Sequence, residues 1–302
     1  MRTRSYRLKK EEEQAVKKLI IILGVVGVSL SAPLVRISSA PAMILAFYRV
    51  AMAGALLLPY VLLRNRDELK GMSRKDWILA LTSGVCLGLH FSLYFESLRY
   101  TSIASSVVFV DTEVFFVAMI MLVIFKEKIP PLGWAGILAT FLGSVIIALS
   151  DSGSGGGALL GDMIALTGAV VVAIYTIIGK VLRQRISTMT YTLLVYVAAS
   201  VTVLILLLIT GVPLTGYQPV DYWAAFGMAV FCTLLGHSIF SWGLKYESAA
   251  FISNSKLLEP VFASLIGIAL FREIPRPAVI LGGLIVIGGV FLYTRVSDSR
   301  ES

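Results

Sequence analysis

Leu98-Arg99-Tyr100-Thr101-Ser102-Ile103-Ala104 and Leu244-Lys245-Tyr246-Glu247-Ser248-Ala249-Ala250 are two copies of one pattern, 146 positions apart. The register holds without a gap from 98–148 onto 244–294. In it Glu113 falls on Glu259, Phe125-Lys126-Glu127 on Phe271-Arg272-Glu273, Pro131 on Pro277, Gly136 on Gly282 and Gly143 on Gly289. Leu and Ala matches between apolar segments are common by chance. Matched Tyr, Glu, Pro and Gly at a constant offset carry more weight, and they mark an internal repeat.

The chain around these copies is apolar nearly throughout. Of its 302 residues, 57% are hydrophobic and 15% charged, and the mean hydropathy is +0.87. A soluble domain carries about a quarter charged residues, so this chain lacks the charge to clothe a water-facing surface. Its apolar runs recur near the ~20 residues that a helix needs to cross hydrocarbon. Ten spans are expected, at 18–36, 42–63, 76–97, 102–125, 131–149, 159–182, 188–209, 221–243, 248–271 and 278–295. Breakers separate them: Pro41, Pro130-Pro131, the run Asp151–Gly157, then Gly211, Pro213, Gly216 and Pro219, and last Pro275 and Pro277. The expected organisation is a basic tail at 1–17, a five-helix repeat at 18–149, a Gly/Ser linker at 150–158, a second five-helix repeat at 159–295 and a tail at 296–302.

Charge placement sets the orientation. With the N-terminus inside, 20 of the 26 Lys and Arg fall in inner segments; only Arg36, Arg99, Arg272 and Arg276 fall in outer ones, and Arg49 and Lys256 lie within spans. That bias places both termini in the cytoplasm of an inner (cell) membrane protein. Five helices per repeat is an odd number, so the second copy enters the membrane upside down. Two similar halves of opposite orientation can exchange conformations and open a central site to each side in turn, a plan that recurs among secondary transporters.

As a set, the doubled Leu-(Arg/Lys)-Tyr-x-Ser, mid-helix Glu, Phe-(Lys/Arg)-Glu, Pro and glycine-bearing helix resemble the EamA family of the drug/metabolite transporter superfamily, over about residues 18–295. The resemblance implies an all-α membrane protein whose ten transmembrane helices form two inverted five-helix repeats around a central cavity. It implies that helices one, three, four, six, eight and nine line that cavity. In the family the mid-helix Glu is often followed by Pro. Glu259-Pro260 keeps this, whereas Glu113 precedes Val114 and leaves a matching kink in helix four without its proline.

Ionisable groups at membrane depth are costly and face a cavity or a partner. Those expected there are Arg49, His90, Glu96, Asp111, Glu113, His237, Lys256 and Glu259. Carboxylates outnumber cations in this set, and an excess of acid in low dielectric is a chemical basis for proton coupling. Glu113 and Glu259 match across the repeats and are the candidates for coupling or gating. Asp111 and Lys256 lack charged counterparts, which are Leu257 and Val110. They break the symmetry as a site for an asymmetric solute should, through solute contact or an opposed ion pair suited to an amino acid. Asp111 and Glu113 are two apart, about 200° around a helix, so both face one cavity only if the helix is distorted there. His90 and Tyr94 on helix three, His237 and Trp242 on helix eight, Tyr175 on helix six and Arg49 on helix two complete the expected substrate pathway. Structural roles for these groups stay open beside that one.

Other classes find little support. The basic tail at 1–17 also carries Glu11, Glu12 and Glu13 and reads as a solvated cytoplasmic lead-in that touches anionic lipid, not a nucleic-acid arm. Cys86 and Cys232 have no C-x-x-C spacing, and no metal site or cofactor is expected. The glycines at 153–157 lack the Lys-Ser/Thr ending of a phosphate loop. No nucleophile-and-base set is spelled out, so no catalytic residue is assigned. The expected function is a secondary active transporter, an exporter of a small polar metabolite such as an amino acid. A membrane-embedded enzyme acting on lipid and a passive channel or facilitator are the alternatives. Monomer and homodimer are both open.

Overall fold

The computed structural model describes residues 2–97, 99–100, 103–151, 159–272 and 276–301. Leu98, Ser102 and Glu273 of the repeat pattern, and the linker from 152 onward, lie outside the described residues. Within them the chain is helical, with no β-strand. The first half holds α1 (Arg2–Ser29), α2 (Ser31–Arg36), α3 (Ala42–Arg64), α4 (Arg66–Gly71), α5 (Arg74–Ser97), α6 (Ile103–Asp111), α7 (Glu113–Val123) and α8 (Pro131–Asp151). The second holds α9 (Leu159–Leu182), α10 (Thr188–Thr210), α11 (Pro219–Gly227), a π-helical segment (Met228–His237), α12 (Ser238–Gly243), α13 (Ala249–Lys256), α14 (Glu259–Phe271) and α15 (Pro277–Glu301).

Among the described residues, seven helical stretches are long and apolar enough to cross a membrane: Glu12–Arg36, Ala42–Arg64, Arg74–Ser97, Leu159–Leu182, Thr188–Thr210, Pro219–Gly243 and Pro277–Val296. Pro131–Ile147 is a shorter apolar helix. Their outward faces carry bare Leu and Ile, with Leu63 at 82% and Ile209 at 74% exposure. Such a continuous apolar exterior suits hydrocarbon and not water.

The expected spans at 102–125 and 248–271 are each broken in the middle. In the second, Pro260 has no N–H to give the carbonyl of Lys256, and α13 ends at that residue. In the first the break comes without proline: the Thr112 hydroxyl bonds the Phe109 carbonyl at 2.5 Å and the backbone tightens into three-residue turns. The two breaks fall at matching positions, Thr112 and Leu258. A helix break therefore stands at matching positions in both halves, with a proline in only one of them. Pro33 acts likewise on the first span, where α1 stops at Ser29.

Packing runs through small residues. A Cβ on Gly143 would stand 2.7 Å from the Gly282 carbonyl, and one on Gly289 would stand 2.8 Å from the Gly136 carbonyl. Bare backbones thus let α8 and α15 touch along an antiparallel seam. Gly84 and Gly88 do the same for α5 against α10, where a Cβ would meet the Val195 and Ala199 carbonyls at 2.5 and 2.9 Å. Elsewhere α5 packs on α9, α10 on α3, α1 on the π-helical segment and α14, and α13 on α7. At one end of the bundle Glu68 of α4 accepts hydrogen bonds from the Ser187 amide and hydroxyl, from Thr190 and from Asn65, which closes the start of α10. Asp76 pairs with Arg185 at 2.9 Å beside it. At another loop, Asp221 accepts from the Ser38 hydroxyl and the Ser39 amide, each at 2.7 Å, and fixes the chain between α2 and α3.

Candidate functional site

The two broken spans carry the chemistry. Glu113 is the first residue of α7 and Glu259 the first of α14. Each carboxylate sits on the first turn of a half-helix, where unpaired amides and the positive end of the helix dipole favour an anion. Glu113 is buried and well supplied with donors. Its Oε1 accepts from Thr176 of α9 at 2.8 Å, from Ser253 of α13 at 3.0 Å and from Lys256 Nζ at 3.0 Å; Oε2 takes a further bond from Lys256 at 3.2 Å. The cation therefore pairs with Glu113, not with Asp111 as an opposed pair would require. Lys256 ends α13 and faces α7, so the break in each span is what brings the partners together.

From Lys256 a row of rings runs across the bundle. Lys256 Nζ stands 5.8 Å from the Phe240 ring centre on α12. Phe240 meets His237 edge-on at 6.1 Å, and His237 meets Phe91 of α5 edge-on at 5.7 Å. Over the face of Phe91 lies the guanidinium of Arg49, at 4.7 Å. A cation thus closes each end of the row, the geometry in which ring faces attract positive charge. His90 packs beside Phe91 at 5.4 Å, and its Nδ1 bonds the Gly168 carbonyl at 3.2 Å.

The π-helical segment shapes this row. Its wider turn lets the Thr233 hydroxyl bond the Met228 carbonyl five residues back, at 3.2 Å. A lone pair of that hydroxyl is left to accept from Arg49 Nε at 3.1 Å. Tyr196 donates to the Thr233 carbonyl at 3.0 Å and holds the segment open. Short π segments inside α-helices occur often at functional sites.

Several buried polar atoms have no hydrogen-bond partner among the described residues: Asp111 Oδ2, His237 Nδ1 and both amide atoms of Asn254. Buried polar groups in native proteins nearly always find a protein or water partner; of these, Asp111 and His237 both lie within electrostatic reach of Lys256. Glu259 lies within electrostatic reach of Arg49 and Lys256, and Tyr94 within reach of Glu259 and Asp111. Tyr175 is buried and bonds Ser241 at 3.3 Å. The structure thus gathers Arg49, His90, Tyr94, Asp111, Glu113, Tyr175, His237, Lys256 and Glu259. Trp242 packs on Tyr246 with ring centres 4.8 Å apart and tilted by 53°, and Tyr246 in turn lies under Lys17. Glu96 pairs with Arg99 at 3.0 Å in an exposed position. No group of three or more His, Cys, Asp or Glu with metal-site geometry occurs among the described residues.

Comparison with known proteins places this arrangement. The model of the EamA-like transporter family matches the chain twice, over residues 17–149 and 159–295. The chain belongs to the EamA-like transporter family. It is a multi-pass membrane protein of the drug/metabolite transporter superfamily.

Members that resemble it include an uncharacterized transporter of Archaeoglobus fulgidus, 26% identical over 83% of this chain and 86% of its own. The pseudopaline exporter CntI of Pseudomonas aeruginosa is 25% identical over 92% of this chain and 95% of its own. The uncharacterized transporter YyaM of Bacillus subtilis is 26% identical over 83% and 84%. A solved crystal structure superposes with a TM-score of 0.80 over 95% of this chain and 99% of that one, at 17% identity, a likeness of fold.

For this EamA-like chain, reading charged residues alone misses the uncharged half of the site: Phe91, Thr176, Thr233, Phe240, Ser253 and Asn254. One signal was available. Ser253-Asn254-Ser255-Lys256 is a polar run inside an otherwise apolar span, and such runs are expensive in a membrane unless they face polar groups.

Proposed function

We propose that this protein is a secondary active transporter that exports a small polar metabolite, such as an amino acid, by alternating access. The observation that carries the reading is the buried row from Arg49 to the Glu113–Lys256 pair, set at two helix breaks that match across the repeats. Charged groups and polar atoms without protein partners, collected inside a helical membrane protein of a transporter family, suit a solute pathway better than a packed core.

The architecture behind this reading is ten transmembrane helices in two inverted five-helix repeats, at 18–149 and 159–295, around a central cavity. Its support is the symmetry of the packing. Gly136 corresponds to Gly282 and Gly143 to Gly289, and the seam joins Gly136 to Gly289 and Gly143 to Gly282. Exchanging the two halves turns one contact into the other. The same exchange turns the packing of α5 on α9 into that of the π-helical segment on α1. Both termini are cytoplasmic in this arrangement, by the Lys and Arg bias.

In the proposed cycle the solute sits between the broken spans, and rocking of one repeat against the other exposes it to each side in turn. Glu113 and Glu259 gate or couple that motion, with protons as the coupling ion. The relative named as a pseudopaline exporter supports efflux as the direction.

The test uses purified protein in sealed liposomes loaded with a pooled metabolite mixture under an imposed pH gradient, with mass spectrometry of the solutes released. Selective release beyond that from empty liposomes, slowed by Asp111→Asn or Lys256→Met, is the expected result. Loss of gradient dependence in Glu113→Gln marks proton coupling. No release from folded protein across the pool overturns the reading for those solutes.

A further inference from the structure

Arg49 is the one cation in the row without an anion in contact. Lys256 is satisfied by Glu113. Arg49 is 4% exposed and forms no ion pair among the described residues. Its recorded contacts are of another kind. Nε is tied to the Thr233 hydroxyl at 3.1 Å, and one face of the guanidinium plane rests on Phe91 at 4.7 Å. These contacts fix the plane and leave the two terminal nitrogens without an acceptor among the described residues. Thr233 is itself oriented by its bond to the Met228 carbonyl in the π-helical segment. A guanidinium held by Nε and by a ring face presents a rigid fork, which matches a carboxylate through two parallel hydrogen bonds.

Charge narrows the ligand. With the Glu113–Lys256 pair set aside, the row holds Arg49 against two carboxylates, Asp111 and Glu259. Glu259 is within electrostatic reach of Arg49 without touching it, and Asp111 is within reach of Glu259. A phosphate dianion would answer Arg49 but bring no donor to Asp111 or Glu259 in their charged forms. A zwitterion fits better, with its carboxylate on Arg49 and its protonated amine toward the acids, where Asp111 Oδ2 has no hydrogen-bond partner among the described residues. We infer that Arg49 is the carboxylate receptor of the solute site, and that the transported solutes carry both a carboxylate and an amine. This inference rests on the transport reading and adds to it a residue and a chemical class.

The experiment uses full-length protein in proteoliposomes and a pool of L-amino acids, each paired with its amide and its decarboxylated amine. Efflux is read for all members by mass spectrometry. In the unmodified protein at least one amino acid leaves about tenfold or more faster than its amide and amine, the order of discrimination expected when a buried charge-assisted pair is lost. Arg49→Lys keeps the charge but loses the fork, and it reduces that preference about tenfold. Thr233→Val frees the guanidinium and reduces it by a smaller factor. Arg49→Gln abolishes it. Size-exclusion profiles and melting curves establish that each variant is folded, and Arg49→Lys and Thr233→Val keep the question answerable where Arg49→Gln does not fold. Amide and amine leaving as fast as the acid overturns the inference and leaves transport standing. So does a variant that slows acid, amide and amine equally, because that is the behaviour of a merely structural arginine. Folded, unmodified protein that releases no member of the pool overturns the transport reading for amino-acid-like solutes and this inference with it.

Discussion

The Glu113–Lys256 pair makes a quantitative demand on the structure. Its side chains are 10% and 16% exposed, so neither charge is well hydrated. Removing one partner from a buried pair strands the other and costs about 3–5 kcal/mol. Glu113 would keep two donors after Lys256→Met, Thr176 at 2.8 Å and Ser253 at 3.0 Å. Hydrogen bonds to charged groups are worth about 1.5–3 kcal/mol each, so the low end applies and Lys256→Met should cost about 3 kcal/mol. Glu113→Gln removes the anion and strands Lys256, which keeps the face of Phe240 and Glu259 at a distance but no further hydrogen bond among the described residues, so its cost should be similar. The double variant Glu113→Gln/Lys256→Met buries no charge in the pair. It should fall within about 1 kcal/mol of the unmodified protein, because a buried pair is often replaceable by uncharged groups at little loss. The expected coupling energy is then several kcal/mol. Reversible unfolding in mixed micelles, with the four proteins compared at one pH, measures it. Single-variant losses that simply add in the double variant would refute the pairing, since residues in direct ionic contact cannot behave independently.

Three further outcomes follow from the same structure. Gly143→Ala sets a Cβ at 2.7 Å from the Gly282 carbonyl. It should lower the melting point of the detergent-solubilised protein, at a cost of about 1–3 kcal/mol for overpacking, whereas Gly288→Ala, which meets nothing within 4 Å, should not. At Glu68 burial pulls the carboxyl upward, but hydrogen bonds from Ser187, Thr190 and Asn65 outweigh it and hold the group below its ordinary 4.5. A depressed carboxyl contributes stability that is present above the unfolded value and lost as pH falls through the folded one. Melting points below pH 4.5 should therefore fall more steeply in the unmodified protein than in Glu68→Gln, and parallel curves would remove Glu68 from the account. With Cys86 and Cys232 both buried, a membrane-impermeant maleimide applied outside intact cells should label Thr215→Cys and spare Asp67→Cys. The reverse pattern would invert the proposed topology.

Much of the helix layout was legible because burial in lipid leaves a coarse mark: apolar runs of spanning length, separated by proline, glycine and charge. The tails were less so. A basic start reads as solvated lead-in and says nothing of its backbone, which is helical from Arg2 in α1, as the other end is to Glu301 in α15. Span interiors were harder still. Pro260 announces the break in one half, but Thr112 makes its break through a side-chain hydrogen bond that composition does not display. The π-helical segment has no sequence signal of its own: a one-residue change in hydrogen-bond register costs little and depends on tertiary partners such as Tyr196. The charged residues of the site were found by their rarity in apolar surroundings. The partner of Lys256 was not, because Asp111 and Glu113 are close in sequence. Only the tight turn at Thr112 settles that Glu113 faces α13.

The site divides by symmetry, and the division suggests how it works. Glu113 and Glu259 correspond, each opens a half-helix, and the glycine seam between α8 and α15 maps onto itself when the halves are exchanged. The residues around them do not correspond. Lys256 answers to Val110, Asp111 to Leu257 and Asn254 to Val108. In the proposed inverted repeat, the matched parts are those that can trade conformations at little cost, because each half can adopt the arrangement its counterpart already shows. The unmatched parts cannot trade, since no counterpart carries their chemistry. A solute held by Arg49, Asp111 and Asn254 would thus stay on one set of contacts while the frame around it exchanges. Glu113 belongs to both groups: it is matched in position with Glu259, but it alone carries the lysine. In the proposed cycle a change in that ion pair is therefore felt by the solute site and by the moving frame together, which makes it a contact through which occupancy biases the exchange between inward and outward states.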